Sequence, residues 1–135
     1  MNKKIVIIDP DSNVTHLLAH LFKQQGIKTI CYISAGQAAK SAALFCTEEV
    51  GLVILERSLP DMDGIALAST ILKKKGYPPF LFLSMLNTVE ERQKGLQAGA
   101  KDYVGKPFDP EAFVSKALKV MRRPFPLSFF FLSYF

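Results

Sequence analysis

The 135-residue sequence has few of the residues that hold small proteins together through covalent bonds or metals. Its two cysteines, Cys31 and Cys46, lie far apart and outside any metal-ligand spacing. We interpret both as small buried hydrophobic residues in a reducing compartment. His16 and His20 are one helical turn apart, but no third ligand accompanies them, so we expect solvated helix positions. Glycine-rich phosphate loops, catalytic triads and metal-ligand clusters are absent, and we do not expect an enzyme.

A membrane span is also missing. Met1 to Lys4 lead directly into a strand-like segment without the features of a secretory signal, so we expect a cytoplasmic protein. The last segment, 124–135, is apolar but too short to cross a bilayer, which needs about 20 apolar residues. We interpret it as the start of a linker, a hydrophobic interaction tail, or an expression or reading-frame scar. Residues 1–123 then form a single domain.

A concentrated basic patch is lacking, although the formal net charge is +5. The basic residues are scattered, apart from the short runs Lys73-Lys74-Lys75 and Arg122-Arg123. Both runs lie where the C-termini of predicted helices favour cations. We therefore expect no direct binding of nucleic acid by this domain.

Short apolar runs and longer helical patterns alternate five times along the chain. Several of the runs are apolar at consecutive positions, which is typical of strands buried on both faces. The predicted strands are 5–8, 29–33, 52–55, 80–83 and 102–104. The predicted helices are 13–25, 35–45, 64–75, one from a capping box at Thr88 to Ala98, and one after the cap Asp109. This alternation predicts a (βα)5 α/β domain, with a parallel sheet between two layers of helices.

Charged and polar side chains follow the predicted strands. Asp9 and Asp11 follow the first strand, Glu56 ends the third, Ser84 ends the fourth and Lys106 follows the fifth. The carboxyl ends of parallel strands are where such sheets bind ligands. An acidic cup with one ammonium and one hydroxyl suits a divalent cation with a phosphoryl group. The alternative is an internal ion pair of Lys106 with Glu56 or Asp9, and spacing alone does not decide between them.

Three stretches, Ile5 to Asp11, Leu52 to Gly64 and Gly95 to Phe108, resemble the receiver domains of two-component response regulators. The resemblance extends over nearly everything from Lys3 to Arg122. It implies a flavodoxin-like fold with a five-stranded parallel sheet in the order 2-1-3-4-5. It also implies phosphorelay signalling, in which a histidine kinase phosphorylates an aspartate and acidic residues hold Mg2+.

The family's site residues correspond to positions of this sequence. The resemblance implies an acid pair at Asp9 and position 10, a phospho-acceptor position at Glu56, a switch pair Ser84 and Tyr103, a phosphate-contacting Lys106, and a cis peptide before Pro107.

Two of these positions depart from the family pattern. Pro10 replaces the second metal-binding acid, and Glu56 replaces the aspartate. A carboxylate near a cation contributes on the order of 4 kcal/mol at an effective dielectric of about 20, so we expect weakened Mg2+ binding. Asp9, Asp11 and Glu56 remain as candidate metal ligands, with Asp11 compensating if it shares a face with Asp9. We expect no resident cofactor, and Mg2+ only if the pocket is still competent.

The longer side chain of Glu56 misplaces its carboxylate for in-line attack on a phosphoryl donor. Our hypothesis is that Lys106 pairs with Glu56 and holds a pseudo-receiver in one conformation without phosphorylation. The alternative is simple decay, which leaves an inert pocket in a surviving fold.

The expected partners are a histidine kinase or another signalling protein. The expected contact surface, which also suits a homodimer, combines the fourth helix, the fifth strand and the fifth helix: Thr88 to Ala98, Lys101 to Val104 and Pro110 to Met121. Two rival functions remain open. One is a conventional Mg-dependent phospho-receiver, and the other is a flavodoxin-like binder of a small ligand or nucleotide.

Overall fold

A computed structural model describes residues 3–45, 47–72 and 76–121 of the chain. The predictions for Cys46, for the run Lys73-Lys74-Lys75, for Arg122-Arg123 and for the segment 124–135 concern residues outside this description. Among the described residues, no helix is long and apolar enough to cross a membrane.

Five parallel strands form one sheet in the order β2-β1-β3-β4-β5, which confirms the predicted flavodoxin-like topology. The strands are β1 (Lys4–Ile8), β2 (Thr29–Tyr32), β3 (Val50–Leu55), β4 (Phe80–Ser84) and β5 (Tyr103–Gly105). Every residue of β3 and β4 is buried, because helices cover both faces of the sheet.

The helices of the described chain are α1 (Ser12–Gln24), α2 (Ala35–Lys40), α3 (Ala42–Phe45), α4 (Gly64–Ile71), α5 (Val89–Gln97) and α6 (Pro110–Val120). The prediction of one helix over 35–45 was wrong, because the helix is interrupted at Ser41. The N–H of Ser41 bonds back to Ala38 and Ala39 and closes α2 before the short α3 begins. The predicted fourth and fifth helices are therefore α5 and α6.

The sheet separates two hydrophobic cores. On one face, Ile5, Ile7, Leu52 and Ile54 pack against α1 and α6. On the opposite face, the alternate residues of the same strands pack against α2, α3 and α4. This arrangement is the predicted three-layer sandwich. It brings the ends of β1, β3 and β5 to one edge, where the polar residues lie.

The edge strand β2 differs from the central strands because one side of it lacks a neighbouring strand. Cys31 lies on β2 with an exposed free thiol, so the prediction that it is buried was wrong. His16 and His20 lie on the exposed side of α1, as predicted.

Candidate functional site

Asp9, Glu56 and Lys106 meet at the carboxyl edge of the sheet. Lys106 Nζ lies 2.7 Å from Asp9 Oδ2 and 3.0 Å from Glu56 Oε1. Asp9 and Glu56 are only 2% and 6% exposed. These contacts match the internal ion pair that the sequence left as an alternative, with one ammonium shared by two carboxylates.

The other oxygen of each carboxylate also has a donor. The backbone N–H of Asp11 donates to Asp9 Oδ1 over 2.8 Å, and the N–H of Ser58 donates to Glu56 Oε2 over 3.1 Å. Each of the four carboxylate oxygens therefore accepts a hydrogen bond from the protein itself. Burial of charge is tolerated in proteins when it is paired and hydrogen-bonded in this way.

The buried triad changes the pKa of two of its members. Burial raises the pKa of Asp9, and the hydrogen bond from Lys106 offsets only part of this effect. Burial of the ammonium acts to lower the pKa of Lys106, but the hydrogen bond and charge of Asp9, followed by those of Glu56, raise it above its ordinary value. Lys106 therefore stays protonated at neutral pH.

Asp11 has a different role from the one predicted. Its carboxylate is the N-cap of α1 and accepts the N–H of Asn13 over 2.9 Å at an exposed position. The described residues contain no group of three acidic, histidine or cysteine side chains suited to a metal, and a shared metal site of Asp11 with Asp9 and Glu56 stays a prediction. α1 begins at Ser12, and the preceding residue Asp11 is its cap.

The pocket holds two carboxylates, and among the described residues its one nearby cation is the ammonium of Lys106. Mg2+ requires near-octahedral oxygen coordination, usually with one or two protein carboxylates. Pro10 supplies no carboxylate, and each oxygen of Asp9 and of Glu56 already accepts one hydrogen bond. A cation would compete with the ammonium of Lys106 for the same two carboxylates.

Ser84 and Tyr103, the predicted switch pair, meet at one residue of the loop after β4. Ser84 is fully buried, and its Oγ accepts the N–H of Leu86 over 3.1 Å. The hydroxyl of Tyr103 donates to the carbonyl of the same Leu86. The Tyr103 ring packs against Phe82, with the centroids 5.4 Å apart. Tyr103 is 3% exposed and thus points into the protein.

The loop after β5 places Lys106. Its backbone N–H donates to the carbonyl of Ser84 over 2.9 Å, which joins this loop to the end of β4. The peptide bond between Lys106 and Pro107 is cis, in agreement with the prediction.

Arg57 is a site residue that the sequence analysis missed. It follows the acceptor position directly, yet its side chain is only 4% exposed. Its guanidinium binds both carboxylate oxygens of Asp63, at 3.0 and 3.2 Å, and Glu91 Oε2 at 2.9 Å. The only sequence signal was a charged residue next to a fully apolar strand. Nothing in the spacing indicated Glu91, which is 34 residues away.

The predicted capping box of α5 is used only in part. Thr88 caps the helix by accepting the N–H of Glu91, as predicted. The carboxylate of Glu91, which a capping box directs back to the cap residue, instead contacts Arg57 and Lys94.

Two acids hold the loop between β3 and α4. Asp61 accepts the N–H groups of Ala35 and Gly36 at the start of α2, and these bonds lower its pKa. Asp63 caps α4 through the N–H of Ile65 and also binds Arg57. Burial acts to raise the pKa of Asp63, but these hydrogen bonds lower it overall. This loop, residues 56–63, is called the acceptor loop below, and it is thus bonded to α2 and α4.

Comparison with known proteins gives a consistent result. The family model of the response regulator receiver domain matches residues 5–118. The alkaline phosphatase synthesis transcriptional regulatory protein PhoP of Bacillus subtilis is 31% identical over 123 residues, which cover 91% of this chain and 50% of PhoP. The transcriptional regulatory protein PmrA of Pectobacterium parmentieri is 33% identical over 120 residues, with 89% and 53% covered.

Among solved structures, the non-phosphorylated receiver domain of HemR from Leptospira biflexa superposes with a TM-score of 0.80 at 28% identity. The alignment covers 93% of this chain and all of that domain. The chain spans about half the length of the curated relatives, so it corresponds to one part of those proteins.

Proposed function

The chain belongs to the response regulator receiver domain family, and on that basis we propose that it is a pseudo-receiver, which signals through protein contacts without being phosphorylated. One observation carries the proposal. All four oxygens of the two buried carboxylates are engaged by Lys106 and by backbone N–H groups, at the place where a receiver needs a free nucleophile and a metal.

Glu56 is poorly suited to accept a phosphoryl group. Nucleophilic attack requires a lone pair of one of its oxygens to align with the phosphorus atom. Both oxygens are bound, one to Lys106 and one to the N–H of Ser58, within a site that is almost closed to solvent. No Mg2+ is expected to neutralise the incoming phosphate, because Pro10 removes the acid that would complete the metal site.

The same geometry supports partial mimicry of a phosphorylated site. Lys106 binds an oxygen of Glu56 as the family's lysine is expected to bind a phosphoryl oxygen. The carboxylate carries a charge of about −1, compared with about −1.5 to −2 for a phosphate monoester. Glu56 thus supplies a permanent but smaller negative charge. We expect this fixed charge, paired with Lys106, to hold the domain in a single resting conformation, whether or not a kinase is present.

The proposed contact surface is formed by α5, β5 and α6. Val89 and Leu96 of α5 are 71% and 47% exposed, which leaves apolar side chains available for a protein partner. A histidine kinase, another signalling protein or a second copy of the chain are the candidates. Because the curated relatives are regulators of about twice this length, a tethered output domain is a further candidate. We expect no direct binding of nucleic acid by this domain.

A conventional phospho-receiver is the second candidate, and it is favoured by the retained Lys106, Ser84 and Tyr103. Incubation with acetyl phosphate and Mg2+, followed by intact mass measurement, separates the two. We expect no phosphoryl adduct on the natural protein. The double variant Pro10→Asp, Glu56→Asp restores both missing groups, so it should gain the adduct and bind Mg2+ at least about tenfold more tightly.

The single variant Pro10→Asp is the matched control, since it adds the acid but keeps Glu56. It should bind Mg2+ more tightly, as followed by tyrosine fluorescence, without gaining an adduct. A stable adduct on the natural protein, or tight Mg2+ binding by it, would overturn the pseudo-receiver proposal.

A further inference from the structure

Arg57 is a buried cation whose side chain takes no part in the ion pairs of Asp9, Glu56 and Lys106. It lies next to Glu56 in sequence, but its guanidinium contacts Asp63, Glu91 and Tyr103 rather than the Lys106 group. Burial acts to lower the pKa of Arg57, but hydrogen bonds and the charge of Asp63, with further bonds to Glu91 and Tyr103, raise it overall. A buried charge with this many partners fixes the position of each of them.

The contacts of Arg57 join three parts of the site. Asp63 belongs to the loop after β3, Glu91 to α5, and Tyr103 to β5. Arg57 Nη1 donates to the carbonyl of Glu91 over 3.3 Å and to the Tyr103 hydroxyl over 3.4 Å, while Nη2 binds the Glu91 carboxylate. The guanidinium therefore connects the acceptor loop with two elements of the proposed contact surface.

A chain of hydrogen bonds continues from Arg57 to the switch serine. Tyr103 accepts from Arg57 and donates to the carbonyl of Leu86, and the N–H of Leu86 donates to Ser84 Oγ. Ser84 and Tyr103 are thus connected without a phosphoryl group between them.

The inward position of Tyr103 depends on α5. A Cβ atom added to Gly95 would lie 2.4 Å from the Tyr103 ring, so the ring occupies space that only glycine leaves open. Phe82 packs on this ring, and the Arg57 guanidinium lies 6.0 Å from the centroid of Phe82. The ring therefore packs directly against α5 at Gly95.

We propose that Arg57 is the positioning residue of the switch: it holds the acceptor loop, α5 and Tyr103 in one arrangement and so fixes the α5 and β5 parts of the contact surface without phosphorylation. This inference rests on the proposed function and adds the residue that enforces it. Arginine suits this role because its planar fork binds several oxygens at fixed angles, whereas the ammonium of lysine is a single point charge.

The test compares local amide hydrogen exchange in Arg57→Met with that in the natural chain. Loss of the fork should raise exchange in α5 and β5 about tenfold, while exchange in α1 changes by less than about twofold. Nitration of Tyr103 by tetranitromethane, mapped by mass spectrometry, should accelerate in the same variant because the ring, which is 3% exposed in the natural chain, becomes more accessible to the reagent.

Two milder variants keep the test valid even if Arg57→Met does not fold well. Glu91→Gln removes one partner of Arg57 and should raise α5 exchange by about threefold. Glu90→Gln is the matched control, because Glu90 carries the same charge in the same turn of α5 but is exposed. It should leave exchange and nitration unchanged.

Equal increases in α1 and α5 would show a general loss of stability and overturn the positioning role, as would unchanged exchange in both Arg57→Met and Glu91→Gln. The same samples are incubated with acetyl phosphate and Mg2+. A phosphorylated natural chain whose α5 depends on Arg57 would overturn only the proposed function. An unphosphorylated chain whose α5 is indifferent to Arg57 would overturn only this inference.

Discussion

Replacing Lys106 with methionine should destabilise the domain by about 2–4 kcal/mol at pH 7, because two buried carboxylates lose their shared cation. Asp9 and Glu56 are almost closed to solvent, so water cannot replace the ammonium fully. Methionine keeps most of the apolar volume of the lysine stem and limits the packing loss. Urea unfolding measures the change.

The stability lost in Lys106→Met should depend on pH. Burial already raises the pKa of Asp9, and removal of Lys106 raises it further, so the folded variant takes up a proton more readily than its unfolded chain. The stability deficit should therefore be largest at neutral pH and shrink as pH falls through the raised pKa. In the natural chain the pKa of Lys106 is raised above 10.5, so its stabilisation is complete below 10.5 and lost as pH rises further.

Lys101→Met is the matched control, since Lys101 is an exposed lysine close to Lys106 in sequence. We expect its free energy of unfolding to change by less than about 0.5 kcal/mol. If Lys106→Met were as mild as this control, or if its deficit were independent of pH, the buried triad would not hold the charges that we assign to it.

Substituting alanine for Gly64 should cost about 2–3 kcal/mol, since the new methyl group meets backbone rather than a flexible side chain. Its Cβ would lie 2.4 Å from the carbonyl oxygen of Glu56 and 3.0 Å from the Cα of Arg57. The loop after β3 must then move, and Glu56 and Arg57 move with it. Chemical denaturation gives the stability, and hydrogen exchange in α5 reports the disturbance of Arg57.

Gly36→Ala provides the comparison, because Gly36 also lies in the first turn of a helix. Its Cβ would meet only a side-chain oxygen of Asp61, at 3.2 Å, and alanine favours the helix. We expect a change within about 0.5 kcal/mol of zero. Similar costs for Gly64→Ala and Gly36→Ala would contradict the close approach of Gly64 to the acceptor loop.

The fold could be predicted from the sequence because its signals are local. Consecutive apolar residues marked the buried strands, and the caps Thr88 and Asp109 marked the helix starts that the structure contains. The break at Ser41 was missed because alanine-rich sequence on both sides of it has the same helical pattern. Cys31 was misplaced because the interpretation rested on its residue type alone, although the strand order implied by the resemblance already put β2 at an edge of the sheet.

The site was predictable only where a topological rule applied. Asp9, Glu56 and Lys106 come together because parallel strands end at one edge, and position along the chain was sufficient to find them. Asp11 was not found by this rule, because its carboxylate caps α1 instead of contacting Lys106. Arg57 was missed because its partners Glu91 and Tyr103 are distant in sequence, and side-chain reach across elements has no short-range signature.

The four satisfied carboxylate oxygens also bear on how easily evolution could reverse this site. A chain with only Glu56→Asp has a carboxylate that is one methylene shorter, while Pro10 still supplies no carboxylate. A chain with only Pro10→Asp adds a third negative charge beside a single ammonium. On the proposed function, a return to phosphorylation therefore requires both changes together, since neither alone supplies both the aspartate and the second acid.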